Sequence, residues 1–211
     1  MSLVKYKAKR NFSVSPEPEG KIKKDSPQLS FVVQRHKASH LHYDFRLEMD
    51  GVLKSWAVPK GPSMNPKDKR LAMQVEDHPY SYKDFEGVIP EGYGAGIVEI
   101  WDKGKYTDIS HSAKETAEKN LKKGLKSGDL KFSLNGKKLK GEFALVRLKP
   151  KEGEKGNSWL LIKHKDEYAV TKEYNSEKET STPSPINKWL SSNRKPEKKN
   201  SIRQLHSSSK S

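Results

Sequence analysis

The sequence predicts a mainly β protein, namely a compact β-barrel with one or two peripheral helices and a disordered basic tail. Many short apolar or β-branched runs are separated by turn signals, and only one stretch has helical periodicity. The carboxyl-terminal residues are mostly polar, which is typical of a tail. A chain of 211 residues is long enough for one domain with a sizeable core.

An amino-terminal arm is predicted for residues 1–30. This stretch is polar, and its segment Ser15-Pro16-Glu17-Pro18-Glu19-Gly20 excludes a regular helix or a central strand, because proline lacks a backbone N–H donor. We therefore expect the arm to lie over the domain that follows it.

The barrel domain is predicted for residues 31–170, where strand-like runs follow one another. Asp50-Gly51 is typical of a tight hairpin turn, and Asn135-Gly136 indicates another hairpin later in the chain. The glycines between Glu91 and Gly96 lack the ending of a nucleotide-binding loop and indicate a barrel corner. The predicted strands are Phe31–Val33, Leu41–Leu47, Leu53–Val58, Arg70–Val75, Gly96–Trp101, Leu130–Leu134, Gly141–Val146 and Ser158–Ile162.

One peripheral helix is predicted near residue 120. Ser112 and Glu115 have the spacing of a capping box, and Gly128 is placed to end the helix. Small and apolar residues repeat at every fourth position, namely Ala113, Ala117, Leu121 and Leu125.

Residues 171–211 are predicted to form the disordered basic tail. They are rich in Ser, Lys, Glu, Asn and Pro, and they carry nine basic and four acidic residues. Their larger apolar residues are too scattered to make a core, namely Ile186, Trp189, Leu190, Ile202 and Leu205. We expect this tail to add non-specific affinity for nucleic acid.

The charge of the chain favours a polyanionic partner. Lys and Arg number 42 against 27 Asp and Glu, and the formal net charge of +15 points to nucleic acid, although a merely soluble basic protein has the same signature. The absence of cysteine excludes disulfides, a thiolate nucleophile and a thiolate zinc site. The chain has no apolar run of membrane-spanning length and no apolar signal region, so we expect a soluble, cytoplasmic protein.

A candidate site lies in the second predicted strand. His42, Asp44 and Arg46 share one face of an extended segment, and His36 joins them if the chain between stays roughly extended. His40 has the same spacing but sits beside a predicted bend, and we interpret it as a bystander. The apolar residues on the opposite face build a core, namely Leu41, Tyr43, Phe45 and Leu47.

These residue types indicate a metal centre beside a phosphate site. Two imidazoles and a carboxylate with room left over suit Mn²⁺, Fe²⁺ or Zn²⁺ holding a substrate oxygen or water. Arg46, one step further along the face, is placed to clamp a phosphate oxygen. A single histidine near a strand is usually a surface or satisfied residue. Convergence of His36, His42 and Asp44 on one face favours a site instead.

Several blocks of the sequence occur in order and with close spacing. They are Phe31–His36, Leu41–Glu48, Trp56–Pro62, Val75–Pro79 and Phe85–Gly96. Together they resemble the 3′-phosphoesterase family, which is best known as the phosphoesterase module of bacterial DNA ligase D. The similarity runs from about Tyr6 to Ala169 without a recognisable polymerase-like or ligase-like segment, so we expect a stand-alone member.

The resemblance implies a metal-dependent β-barrel enzyme that heals the 3′ ends of DNA during break repair. Members of the family remove a 3′-terminal ribonucleoside to leave a 3′-phosphate, and then remove that phosphate to leave a 3′-hydroxyl. The implied cofactor is Mn²⁺ or a similar divalent metal such as Zn²⁺ or Co²⁺, with ligands at the positions of His36, His42 and Asp44.

The resemblance also implies further site residues. Those around the scissile phosphate match Arg46, Lys60, Arg70, His78 and Tyr82, and those of the arm match Arg10 and Glu17. We hypothesise that Arg46 and Arg70 neutralise phosphate charge, while His78 donates a proton to the leaving oxygen or stabilises the oxyanion. The family commonly has an aspartate where this chain has Asn11, which predicts weakened activity.

The expected partners are 3′ ends of primer–template duplexes made of DNA or of DNA and RNA. A separate DNA ligase, polymerase or end-binding repair protein is expected to act with the enzyme. We expect no membrane contact and a monomer.

Two other classes of protein remain open on sequence grounds. His42 and Asp44 also fit part of the two-histidine, one-carboxylate site of an iron oxygenase, with His78 or His111 as a further ligand. A non-catalytic DNA-binding module would use the +15 charge, but it has no need of the polar face around Asp44.

Overall fold

The structure is a computed structural model that describes residues 3–20 and 27–193. The helices are α1 (Val4–Ala8), α2 (Lys114–Ser127) and α3 (Pro185–Ser192), and a 3-10 turn covers Tyr80–Asp84. Within these residues no helix has the length and apolar character needed to cross a lipid bilayer. The strands are β1 (Leu29–Lys37), β2 (Leu41–Met49), β3 (Val52–Val58), β4 (Lys69–Gln74), β5 (His78–Pro79), β6 (Gly87–Ile89), β7 (Gly96–Asp108), β8 (Asp129–Asn135), β9 (Lys140–Arg147) and β10 (Ser158–Lys163).

Eight of the strands close into an antiparallel barrel. Their order around the wall is β1-β2-β3-β4-β10-β9-β8-β7, and β7 pairs again with β1. At the margins β5 pairs with β3, and β6 pairs with β7. The predicted β-barrel is therefore confirmed, and each predicted strand lies within or overlaps an observed one. Closure removes the free strand edges that an open sheet exposes.

Large apolar side chains fill the barrel. Tyr43, Phe45 and Leu47 of β2 are almost fully buried in the main core, as the alternation predicted. Leu41, which the alternation also placed in the core, is only partly buried, because it lies at the start of β2 and lines a groove. Trp56 and Trp159 meet edge to face in the same core, with 5.9 Å between their ring centroids. Because these residues occupy the inside, the intervening residues of β2 lie on the outer side of the barrel wall.

A second, smaller apolar cluster covers the outer side of the β2–β3 hairpin. It joins Leu3 and Tyr6 of the arm to Leu53 of β3 and to Tyr80 and Tyr82 of the 3-10 turn. Tyr6 is fully buried there. The described part of the arm is therefore packed against the barrel wall, and polar side chains are enclosed between the two.

Of the two predicted hairpin turns, the one at Asp50-Gly51 has two residues as predicted, whereas the one at Asn135-Gly136 is longer. Asp50 and Gly51 both have positive φ, 52° and 74°, as a two-residue turn of type I′ requires. The β8–β9 hairpin is also present, but its strands pair only up to Asn135 and Lys140. The carboxylate of Asp102 on β7 accepts hydrogen bonds from the backbone N–H groups of the loop residues Lys137, Lys138 and Leu139. A long-range contact thus shapes this turn.

The predicted helix is α2, but its start differs from the prediction. The backbone N–H and the hydroxyl of Ser112 donate to the carboxylate of Asp108, at 2.9 and 3.1 Å. The N-cap position is Ala113, which has no capping side chain, so the predicted capping box is wrong. The predicted end is confirmed, because Gly128 closes the helix with a left-handed φ of 85°.

Residues 171–193 differ from the predicted disordered tail. Ile186 of α3 is fully buried, and Arg35 of β1 holds this segment through an ion pair of 2.6 Å with Glu177. The sequence pattern missed this segment because single residues anchor it to strands that are distant in the chain. The rest of the predicted tail, residues 194–211, lies outside the described residues.

We expect Gly128→Ala to lower the free energy of unfolding by about 1–2 kcal/mol, the cost of a left-handed φ for an L residue. The added Cβ would also lie 2.9 Å from Nε of Arg147. Thermal unfolding followed by circular dichroism should show a melting temperature lower by about 2–8 °C. Gly153→Ala is the matched control, since its φ is 81° and nothing lies within 4 Å of the added Cβ. Its exposed loop can relax, so it should lose less, and an unchanged Gly128→Ala would contradict this helix end.

Candidate metal centre

The β1–β2 hairpin brings His36, His42 and Asp44 together on the outer side of the barrel wall. His36 lies directly opposite His42 in the antiparallel ladder, and Gln34 lies opposite Asp44. These side chains share a face, but not because the chain between the histidines stays extended. The chain turns back at residues 38–40, and the two histidines are cross-strand neighbours.

The three residues, which we call the metal cluster, place their ligand atoms close together. One nitrogen of each histidine and one carboxylate oxygen of Asp44 all lie within 4.8 Å of one another. Nδ1 of His36 is 3.4 Å from Oδ2 of Asp44, and Nε2 of His42 is 3.7 Å from Oδ1. His36 and Asp44 are buried, whereas His42 is partly exposed, so the cluster is reached from the side of His42.

Backbone carbonyl groups orient both imidazole rings. Nε2 of His36 lies 2.9 Å from the carbonyl oxygen of Gly94, and Nδ1 of His42 lies 3.0 Å from that of His40. Since a carbonyl oxygen only accepts, these nitrogens carry the protons, and the nitrogens that face Asp44 present lone pairs. Metal-binding histidines are oriented in this way. The donor set therefore fits a divalent metal ion.

Asp44 is an ionised carboxylate although it is buried. Burial by itself raises the pKa of a carboxyl group, but the neighbouring charge of Arg46 holds the pKa of Asp44 below its usual value. Nη2 of Arg46 donates to Oδ2 of Asp44 at 3.1 Å. The cluster is therefore ready for a cation near neutral pH, because a metal ligand of this type has to be deprotonated.

Arg46 is buried and held in one orientation. Its Nε donates to Oε1 of Gln34 at 2.7 Å, and its Nη1 donates to Oγ of Ser55 at 2.9 Å. The guanidinium also lies over the ring of Tyr82, 4.9 Å from the centroid. Within the described part of the chain these bonds leave some N–H donors of Arg46 without a partner, and such donors suit an anion at the edge of the metal cluster.

The arm brings Arg10 and Glu17 to the same region. Nε of Arg10 donates to Oε1 of Glu17 at 2.9 Å, and the hydroxyl of Tyr82 donates to the same oxygen at 2.8 Å. The guanidinium of Arg10 lies over the ring of Tyr6, 3.9 Å from its centroid. Residues from distant parts of the sequence thus form one network, which reaches Arg46 through Tyr82.

His78 is a buried, neutral part of this network. Its Nδ1 lies 3.0 Å from the carbonyl oxygen of Glu76, and its Nε2 lies 3.1 Å from Nη2 of Arg10. An arginine only donates, so Nε2 accepts and Nδ1 carries the proton. Burial, followed by the charges of Arg46 and Arg10, lowers the pKa of His78 well below its usual value. Here His78 positions Arg10, and its role as a proton donor stays a prediction.

Lys60 and Arg70 lie in a different groove. Its volume is about 360 Å³, and Tyr43 also lines it. Arg70 pairs with the buried Leu161 of β10, so the two side chains lie on the same face of the sheet. Nη2 of Arg70 donates to the carboxylate of Asp68 at 2.9 Å. Among the described residues no hydrogen bond or ion pair links Lys60 or Arg70 to the metal cluster. Their predicted place around the phosphate stays a prediction.

Some residues beside the metal cluster were missed by the sequence prediction. Gln34 and Ser55 orient Arg46, and Gly94 orients His36. The alternation along β1 could have indicated Gln34, because it has the same parity as His36. Ser55 and Gly94 carried no such signal, since they meet the cluster only when the barrel is formed.

A comparison with known families agrees with the similarity predicted from the sequence. A family described as the DNA ligase D 3′-phosphoesterase domain matches residues 34–147, a range that includes the whole cluster and Arg46. These residues are more than half of the chain. The chain belongs to this family, whose members are hydrolases of phosphoesters.

The similar proteins are much longer than this chain. It is 51% identical over 167 residues to the multifunctional non-homologous end joining protein LigD of Pseudomonas aeruginosa. This match covers 78% of this chain and 19% of the relative. The LigD protein of Mycolicibacterium smegmatis is 40% identical over 167 residues, with 78% and 21% covered. The match thus spans about one fifth of these relatives.

The lowered pKa of His78 predicts that the protein loses stability at mildly acidic pH. As pH falls, the imidazole of His78 takes up a proton near its usual pKa of about 6.5 in the unfolded chain, but only at a lower pH in the folded chain. The stabilising contribution is complete above that pH and is lost as pH falls toward the folded value. We expect a loss of up to about 1.4 kcal/mol per pH unit in this window. Urea denaturation at several pH values measures it.

The variant His78→Gln serves as the test of this assignment. An amide does not titrate and can still accept from Arg10, so we expect the pH dependence of the variant to be smaller than that of the wild type. His40→Gln is the control, because the side chain of His40 is exposed, and it should behave like the wild type. A pH dependence that persists in His78→Gln would assign it to another group.

Proposed function

We propose that this protein is a metal-dependent phosphoesterase that heals the 3′ ends of DNA. It removes a 3′-terminal ribonucleoside to leave a 3′-phosphate, and then removes the phosphate to leave a 3′-hydroxyl. One observation carries the proposal: lone pairs of two oriented imidazoles and an ionised carboxylate converge beside the buried Arg46 in a member of a 3′-phosphoesterase family.

The metal cluster is the proposed place of the divalent cofactor. His36, His42 and Asp44 would hold Mn²⁺, our first candidate, or Zn²⁺ or Co²⁺. When bound, such a metal supplies Lewis acidity, which polarises a phosphate oxygen or lowers the pKa of a water molecule.

Arg46 is proposed to stabilise the charge on the phosphate. In the hydrolysis a bond forms between the water oxygen and phosphorus, and the bond to the leaving sugar oxygen breaks while that oxygen takes up a proton. Charge is spread over the non-bridging oxygens in the transition state. Since Gln34 and Ser55 already orient Arg46, its unused N–H groups can stabilise this charge without reorganising.

The arm is proposed to complete the phosphate site. Arg10 is a second buried cation, and Glu17 and Glu76 compensate its charge at 2.9 and 3.1 Å. Nε2 of His78 already accepts from Arg10, so a proton transfer through this nitrogen requires Arg10 to move first. We propose that Arg10 turns to the phosphate when substrate binds, and that Nε2 of His78, then free, takes up the proton that the attacking water loses and passes it to the leaving oxygen.

The proposed biological role is the repair of DNA breaks. The names of the relatives assign them to non-homologous end joining. We propose that this chain acts in the same process on primer–template ends, as a monomer that works with a separate ligase, polymerase or end-binding protein. The net charge of +15 supports binding to a polyanion.

The two alternative classes have less support. An iron oxygenase would use the same cluster, but with His36 as its second histidine in place of the predicted His78 or His111. Neither His78 nor the exposed His111 belongs to the cluster in the described residues. A buried arginine next to the cluster suits an anionic substrate. A purely DNA-binding module leaves the oriented imidazoles and Asp44 without a role.

A gel assay tests the proposed activity. The substrates are 5′-labelled primers annealed to a template, which end in one ribonucleotide or in a 3′-phosphate. With Mn²⁺ we expect the first to be shortened to a 3′-phosphate end and the second to become a 3′-hydroxyl. Asp44→Ala should lower both rates by at least about a hundredfold, because it removes a ligand and leaves Arg46 unpaired.

Two controls make this result specific. A chelator should abolish both reactions in the wild type. Asp84→Ala should leave them unchanged, since Asp84 is exposed and pairs with Lys83 and Lys103 away from the cluster. If the wild type binds both substrates and changes neither, the catalytic proposal fails in favour of a binding module.

Asn11→Asp is expected to increase the rate of one or both steps by about tenfold, a modest share of what acid–base catalysis contributes. The resemblance places an aspartate at this position, next to Arg10, where a carboxylate can exchange a proton and the amide cannot. The amide oxygen of Asn11 now accepts from the N–H of Ser13 at 3.1 Å, a bond that aspartate can keep. Initial rates on both substrates measure the effect. An equal gain in Asn11→Ala would contradict a role for the carboxylate.

A further inference from the structure

A groove lies between the arm and the loop that precedes β7. Its volume is about 390 Å³. The arm lines one side with Lys9, Asn11 and Val14, and the loop lines the other with Tyr93. We call it the arm groove.

Two hydrogen bonds connect the walls of the arm groove to the site. On the arm side, Arg10 lines the groove and contacts His78 at 3.1 Å. On the loop side, the residue after Tyr93 is Gly94, whose carbonyl oxygen lies 2.9 Å from Nε2 of His36. A molecule in this groove would therefore lie beside the phosphate that the metal cluster is proposed to receive.

Tyr93 gives the arm groove an aromatic face with cations next to it. Half of its surface is exposed (50%). Nζ of Lys9 lies over the ring, 4.3 Å from its centroid, and the guanidinium carbon of Arg10 lies over it at 5.7 Å. Lys9 pairs with Glu76, yet 40% of its side chain remains exposed. Proteins that bind single nucleotides of a strand combine these two features, since a base stacks on the ring and a phosphate pairs with the cation.

We propose that the arm groove binds the terminal nucleoside of the 3′ end. Lys9 then turns from the ring of Tyr93 to the backbone phosphate, and the base stacks on the ring in its place. The inference rests on the proposed function for the place of the scissile phosphate, and it adds a residue that determines which ends bind well. Because every base has a stacking face, the groove tolerates all bases but requires one.

A fluorescence experiment without metal tests this binding mode. A primer–template with 2-aminopurine as its 3′-terminal ribonucleotide is titrated with protein in the presence of a chelator, so that no hydrolysis follows. Stacking on Tyr93 should quench the fluorescence in the wild type. Tyr93→Ala should abolish the quenching and weaken binding by about tenfold, the order that one stacked base contributes, while Tyr93→Phe should retain both. Tyr168→Ala is the matched control, a 45% exposed tyrosine in another groove, and should resemble the wild type.

A second measurement separates stacking from mere support of the loop. With Mn²⁺, the ratio of kcat/KM for an end with a base to kcat/KM for a terminal ribose without a base should fall about tenfold in Tyr93→Ala, mostly through KM. The end without a base gains nothing from the ring. A purely structural role of Tyr93 would lower both values equally and leave the ratio unchanged.

The results distinguish this inference from the proposed function. Equal quenching in the wild type and in Tyr93→Ala, or an unchanged ratio, would overturn the arm groove as a nucleoside site. If the wild type hydrolyses neither end, the proposed function fails, and the quenching in chelator still decides whether a base stacks on Tyr93.

Discussion

The pairing of β1 with β2 is the constraint on which the site depends. The ladder places His36 opposite His42 and Gln34 opposite Asp44, and it thereby sets both the metal cluster and the bond from Gln34 to Arg46. A slip of one residue would turn all of these side chains to the other face of the wall. The core resists such a slip, because it would move Phe45 out of the barrel and a charged side chain into it.

Buried charges couple the arm to the barrel. Arg46 is neutralised by Asp44 on its own strand, whereas Arg10 depends on Glu17 of the arm and on Glu76 of the barrel domain. Removing one partner of such a pair leaves an uncompensated buried charge, which typically costs about 3–5 kcal/mol. The arm therefore cannot shift without exposing or stranding charge next to the metal cluster. The same packing creates the groove that the arm shares with the loop before β7.

Local patterns were sufficient for most of the fold. Alternation and turn signals within a few residues predicted the strands, the Asp50-Gly51 turn and the end of α2 at Gly128, because each depends on neighbours in the chain. They failed where a distant side chain takes over. Ser112 donates to Asp108 and does not form the predicted capping box. The carboxylate of Asp102 binds the β8–β9 loop, which is longer than the predicted turn. The prediction of a disordered tail failed over residues 171–193 for the same reason, since residues that hold this segment, such as Arg35, lie on distant strands.

The sequence by itself determined which side chains of β2 face outward, since the two-residue period of a strand is a local property. It also indicated the chemistry of the metal cluster, because residue types limit the ligands. Only the tertiary structure decided which nitrogen of His36 is free, since that depends on the carbonyl of Gly94. It also placed Arg70 in another groove and Tyr93 beside Arg10. Closure of the barrel sets these distances, and no short stretch of sequence contains that information.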